Sequence, residues 1–143
     1  MPDILHDLWI DAPPERVFEA VSAPEGLDRW WTLRASGEPS EGAEYVLGFG
    51  PEHVWRGRVE VLLPGSELEL EITRADDDWT GTIVGFSLQP SDGGTKLRFR
   101  HSGWRDTNEH FRISSYCWAT YLRLLRRWLE LGETVPYERR DEA

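Results

Sequence analysis

Residues 43–102 alternate apolar and polar side chains with a period of two, and residues 106–131 switch to a helical period. That change constrains the fold more than any other feature, since the first stretch must make strands and the second one long helix. Segments 43–49, 53–63, 67–74, 79–89 and 94–102 read as strands. Gly50-Pro51-Glu52, Pro64-Gly65-Ser66, residues 74–78 and the run Pro90 to Gly94 punctuate them. These connections are too short for crossover helices, so neighbouring strands are predicted to be antiparallel. Leu68, Leu70 and Ile72 alternate with Glu67, Glu69 and Glu71, the pattern of a strand with one buried and one wet face. Leu97, Phe99 and His101 share an inward face by the same rule.

Asp106-Thr107-Asn108-Glu109 has the spacing of a capping box. Phe111, Ser115, Trp118, Leu122, Leu125 and Leu129 then recur at helical spacing as far as Leu131, before Gly132 and Pro136. A helix of ~24 residues spans roughly 36 Å. Upstream, Ile4 to Asp11 reads as a first strand. Pro14-Glu15 opens one short helix, and Ala23-Pro24-Glu25 opens another that ends at Trp30-Trp31.

The predicted fold is therefore α+β: a curved six-stranded antiparallel sheet with two short helices, wrapped around a long C-terminal helix. A sheet with one apolar face needs a cover, and only the last helix is long enough to supply it. A twisted sheet curls around such a helix. One helix cannot fill a concavity that wide, so a hollow is predicted beside it. Residues 1–136 are expected to form a single domain, with 137–143 as a loose polar tail.

Eight tryptophans sharpen that expectation, because ligand pockets are rich in apolar and aromatic side chains. Trp30, Trp31, Trp55, Phe86, Phe99, His101, Trp104, Trp118, Tyr121 and Leu122 are the candidate wall residues. They come from separate segments that the fold would bring together. Trp79 begins a predicted strand and receives no assignment.

Few catalytic signals accompany them. His101 is the one candidate, and the favoured part for it is a neutral histidine hydrogen-bonded in the core. Ser114 and Ser115 lack a base and an orienting acid. Cys117 is expected to be an inert thiol. His6, His53, His101 and His110 show no metal-ligand spacing, and Asp76-Asp77-Asp78 reads as a solvated turn, so no metal or cofactor is expected.

The net charge of -10, from 26 acidic and 16 basic residues, repels phosphate backbones and anionic lipid, so neither nucleic acid nor membrane is an expected partner. The first residues lack the basic-then-apolar pattern of a signal peptide, and a single cysteine suits a reducing compartment. A cytoplasmic location is expected. Monomer and homodimer both stay open.

The run Ile10 to Phe18, the pair Trp30-Trp31, the stretch Gly94 to Trp104 and the helix Trp118 to Leu131 with Gly132-Glu133 together carry a resemblance. They resemble the SRPBCC or START-like superfamily, in the branch named after the activator of the 90-kDa heat-shock protein ATPase. The resemblance covers nearly the whole chain. It implies a helix-grip fold with a cavity between sheet and C-terminal helix, used across the superfamily for lipids, hormones, polyketides and other apolar molecules. The eukaryotic co-chaperone that names the branch places such a domain after a separate N-terminal domain, which makes a major contact with the chaperone. The residues here have no room for that second domain, so the activity is not carried over with the name.

The expected function is thus non-catalytic binding or carriage of a small hydrophobic or aromatic molecule. The second expectation is a cyclase, aromatase or hydratase using His101 as its acid–base group. The third is a chaperone-linked or stress-response interaction module.

Overall fold

The computed structural model describes residues 1–142. Strand β1 (Ile4–Ile10) is followed by helices α1 (Pro14–Ser22) and α2 (Pro24–Trp30). Six strands come next: β2 (Arg34–Ser36), β3 (Glu44–Gly48), β4 (Val54–Leu63), β5 (Glu67–Arg74), β6 (Ile83–Ser91) and β7 (Gly94–Ser102). Helix α3 (Glu109–Leu131) and a 3-10 turn (Tyr137–Glu142) complete the order. The sheet runs β1-β7-β6-β5-β4-β3-β2 and is antiparallel throughout. Its end strands do not pair with each other, so the sheet is open.

β2 through β7 form a meander, each strand paired with the next. β1 is placed by a long-range register, with Ile4 opposite His101 and Ile10 opposite Thr95. Two irregularities bend β4 against β5, at Arg56/Gly57 and between Val59 and Val61. An extra residue on one strand increases its twist and bends it, which helps curl the sheet around α3.

Four expectations are corrected in detail. The sheet has seven strands rather than six, because Arg34–Ser36 adds to β3. Three residues are too short to display an alternation. β6 starts at Ile83, not at 79, because Asp76 diverts the chain into a turn: its side chain accepts from the Trp79 amide at 2.9 Å and its carbonyl from Thr80 at 3.0 Å. The α3 cap is Asn108 rather than Asp106, with Asn108 Oδ1 accepting from the Phe111 amide at 2.8 Å. The tail is not loose, since Tyr137–Glu142 forms a turn in which Arg140 is buried.

The short helices pack tightly because of one glycine. A Cβ on Gly26 would stand 2.7 Å from the Ala20 carbonyl oxygen and 2.9 Å from the Ala20 Cα. The Trp30 indole donates to that same carbonyl at 3.0 Å, and the Tyr45 hydroxyl donates to the Ser22 carbonyl. These bonds clamp α1 and α2 against the sheet beside α3. At the other end of the chain Gly132, at φ 72°, ends α3 in the left-handed conformation that side chains resist. The largest buried side chains are Trp30, Trp31, Trp104, Trp118, Tyr45, Phe86 and Phe99, all between sheet and helices.

Candidate functional site

Five aromatic rings close into a circuit. Trp31 at the end of α2 meets Phe49 in the β3–β4 turn at 5.8 Å between centroids. Phe49 meets Trp55 of β4 at 5.1 Å, and Trp55 meets Trp79 at 5.0 Å. Trp79 stacks on Trp118 of α3 at 5.8 Å, and Trp118 returns to Trp31 at 4.9 Å. Aromatic pairs at such distances contribute attraction beyond their buried area. The circuit surrounds a hollow of about 310 Å³, which Tyr121, Ser114, Cys117 and Tyr137 also line. His53 and His110 stand at it as well.

The hollow's polar groups are few. Trp79 donates its indole N–H to Ser114 Oγ at 3.2 Å, and the Tyr137 hydroxyl reaches the Phe49 carbonyl at 3.4 Å. Burial pushes the Tyr121 phenol up to about 12, so it stays a neutral hydroxyl. Burial also raises the Cys117 thiol, with the Asp141 carboxylate adding to the effect. A thiol held protonated is a poor nucleophile. His110 bonds Asp78 at 2.9 Å, which lowers the Asp78 carboxyl.

Behind this wall His101 is fully buried, and both of its ring nitrogens are engaged. Trp118 Nε1 stands 3.1 Å from His101 Nδ1, and Thr82 Oγ1 stands 2.7 Å from Nε2. An indole N–H can only donate, so Nδ1 is bare and the proton sits on Nε2. The Thr82 hydroxyl then accepts from His101 and donates to the Trp79 carbonyl at 2.6 Å. Burial lowers the His101 pKa to about 3, with the nearby His110 as a smaller cause. The imidazole is thus a neutral strut between α3 and the β5–β6 turn. It has no free nitrogen to offer a substrate.

Of the residues expected at the wall, Trp31, Trp55, Trp118 and Tyr121 line the hollow. Trp30, Phe86, Phe99, His101, Trp104 and Leu122 are buried but do not line it. Trp30 and Phe86 pack edge to face at 6.0 Å, and Phe99 lies against the far side of Trp118 at 4.4 Å. Trp104 sits beneath His110 and Phe111 with its indole N–H unpartnered. Trp79 and Phe49 were not among the expected wall residues. Both stand in turns, where alternation assigns no face; the Asp76 acceptor three residues before Trp79 is the local signal of that turn.

A wider depression of about 580 Å³ lies on the outer face of the sheet. Asp7, Glu67, Glu69, Arg98 and Arg100 surround it, with Arg100 paired to Glu69, so charged side chains dominate its rim. Among the described residues no group of three His, Cys, Asp or Glu side chains is placed to hold a metal ion. Among those residues no helix is long and apolar enough to cross a membrane.

An open antiparallel sheet gripping a long C-terminal helix is shared with proteins of known structure and sequence family. The family described as Activator of Hsp90 ATPase homolog 1-like protein matches residues 11–130. The chain belongs to this family. The solution structure of the Aha1 dimer from Colwellia psychrerythraea is similar at 29% identity and TM-score 0.83, covering 93% of this chain and 99% of that one. A Bacillus halodurans protein solved in solution is 26% identical, with TM-score 0.75, covering 91% of this chain and 98% of its own. A Mesorhizobium loti crystal structure, at 21% identity and TM-score 0.79, covers 90% of this chain and 96% of its own and bears on the fold alone. Among curated proteins none matches. The family match takes in α1, α2, the whole meander and nearly all of α3, so all five ring residues lie inside it.

Proposed function

We propose that this chain is an interaction module of the chaperone-cofactor kind, which binds a 90-kDa heat-shock ATPase. The observation that carries this reading is the family match over residues 11–130. Likeness to the Colwellia Aha1 along almost the full length of both chains supports it. That relative was solved as a dimer, which supports self-association here too. Surface-immobilised ATPase from the same source, exposed to the chain over a concentration series, tests it. Saturable binding is expected, and its absence up to high micromolar concentration would count against the module.

A second reading is favoured by a specific feature, the closed aromatic circuit. A hollow of about 310 Å³ has room for roughly ten water molecules. Its walls are indole and phenyl faces with few polar groups, which suits a flat apolar or aromatic guest better than a sugar or a phosphate. Titration with naphthalene and with indole, followed by indole N–H shifts in nitrogen–proton NMR spectra, tests this reading. Shifts at Trp31, Trp79 and Trp118 are expected; a spectrum unchanged at ligand saturation of the buffer removes it. Cys117→Phe separates the two readings, because it fills the hollow and leaves the outer surface intact. Guest binding is lost in that variant while partner binding persists.

A further inference from the structure

Arg140 is only 5% exposed and forms no ion pair among the described residues; all of its hydrogen bonds go to backbone carbonyls. Its Nη2 donates to Asp28 at 2.6 Å, Nη1 to Thr32 at 3.1 Å, and Nε to Val135 at 3.2 Å. Asp28 lies in the last turn of α2 and Thr32 just beyond it, where a helix leaves carbonyls unsatisfied and carries partial negative charge. The guanidinium also lies over the Tyr137 ring at 5.3 Å. Tyr137 in turn lines the hollow and reaches the Phe49 carbonyl. Residues 135–142 therefore cross from α3 to the end of α2, with Tyr137 set into the wall of the aromatic hollow.

Little else holds that segment down. Its backbone bonds are local, those of its own 3-10 turn and Arg139 to Pro136 at 2.9 Å, and no strand pairs with it. Burying a guanidinium costs desolvation that its hydrogen bonds must offset, so the net hold of such an anchor is modest. Segments with few buried contacts open well below the free energy of global unfolding. The segment also lies beyond the residues that the family matches.

We propose that residues 135–142 are a strap that controls access to the hollow, with Arg140 as its fastening and Tyr137 as its movable wall. The proposal rests on the hollow as a binding site, the second reading above. Its test does not use a guest, so the two can fail separately. Cys117, the chain's one cysteine, lines the same hollow and has Asp141 of the strap as an electrostatic neighbour. It reports on the strap directly.

The experiment measures the labelling rate of Cys117 by a maleimide at fixed pH in the wild type, Arg140→Gln and Tyr137→Ala. Both variants are expected to label at least about fivefold faster, with native far-ultraviolet circular dichroism and rates independent of low urea, the mark of local rather than global opening. If Arg140→Gln does not fold, Tyr137→Ala decides the matter alone, since it keeps the three Arg140 bonds to backbone carbonyls and removes only the ring beneath the guanidinium. Rates within about twofold of wild type in every folded variant, or rates that climb with urea as unfolding does, would overturn the strap.

Discussion

Trp118 donates its indole N–H to Nδ1 of His101 across the sheet–helix interface, at 3.1 Å. The bond dictates the tautomer, and the tautomer dictates the next two bonds, to Thr82 and on to the Trp79 carbonyl. A relay of this kind ties α3, β7 and the β5–β6 turn together behind the aromatic circuit. It explains why a histidine on an inward strand face belongs to the scaffold here and not to chemistry.

Burial makes His101 resist protonation. Its pKa in the fold is about 3 against 6.5 in an unstructured chain. Above pH 6.5 both states are neutral and the group contributes no pH dependence. As pH falls from 6.5 towards 3, the unfolded chain takes up a proton that the folded one refuses, so stability is lost. Between pH 7 and 5 the wild type is expected to lose about 2 kcal/mol more than a His101→Gln variant, measured by urea denaturation. Carbon and nitrogen NMR shifts of the ring should report the Nε2–H tautomer down to pH 4. A ring titrating near 6.5 would contradict the relay.

Trp118→Phe keeps an aromatic ring and removes the donor with a small loss of ring volume. A buried acceptor left without a partner costs about 1–3 kcal/mol. Trp118→Ala also removes contacts with Trp31, Trp79 and Phe99, and should cost about 3–5 kcal/mol. Denaturation midpoints check both, and equal losses in the two variants would assign the whole effect to the lost donor rather than to packing.

Gly26→Ala tests the clamp between the short helices. The added methyl meets backbone atoms of Ala20, which cannot rotate away. Overpacking of this type costs about 1–3 kcal/mol. The Trp30 indole N–H, bonded to the same Ala20 carbonyl, should shift in the NMR spectrum. A neutral substitution would mean that α1 and α2 slide apart freely.

Asn108→Ala and Asp106→Ala distinguish two capping registers for α3. Loss of an N-cap side chain costs about 1 kcal/mol. The observed Asn108 bond to the Phe111 amide places that cost on residue 108. Asp106→Ala should stay within about 0.5 kcal/mol, as exposed substitutions do. Thermal melts of the two variants, run side by side, settle the register.

The meander and the long helix were legible because each has a period that its burial enforces. Leu68, Leu70 and Ile72 are all fully buried on β5, and Trp118, Leu122, Leu125 and Leu129 are buried on α3, as their spacing requires. β2 escaped because Arg34–Ser36 is three residues long and pairs with β3 alone among the strands. Trp55 and Trp118, which line the hollow, sit on elements whose facing can be counted. Trp79 and Phe49 sit in turns, where direction is decided by hydrogen bonds such as the one from the Trp79 amide to Asp76. Arg140 lay in a polar tail, and only the carbonyls at the end of α2, more than a hundred residues earlier, give it a reason to be buried.

The proposed role, binding of a 90-kDa heat-shock ATPase through the surface with the hollow as a separate feature, has a direct functional readout. The direct measurement is the turnover of that ATPase, from the same source, against increasing amounts of the wild-type chain and of Cys117→Phe. The account predicts a saturable change in turnover that both proteins produce alike. An ATPase whose rate stays flat with either protein, across concentrations where both remain folded, would contradict it.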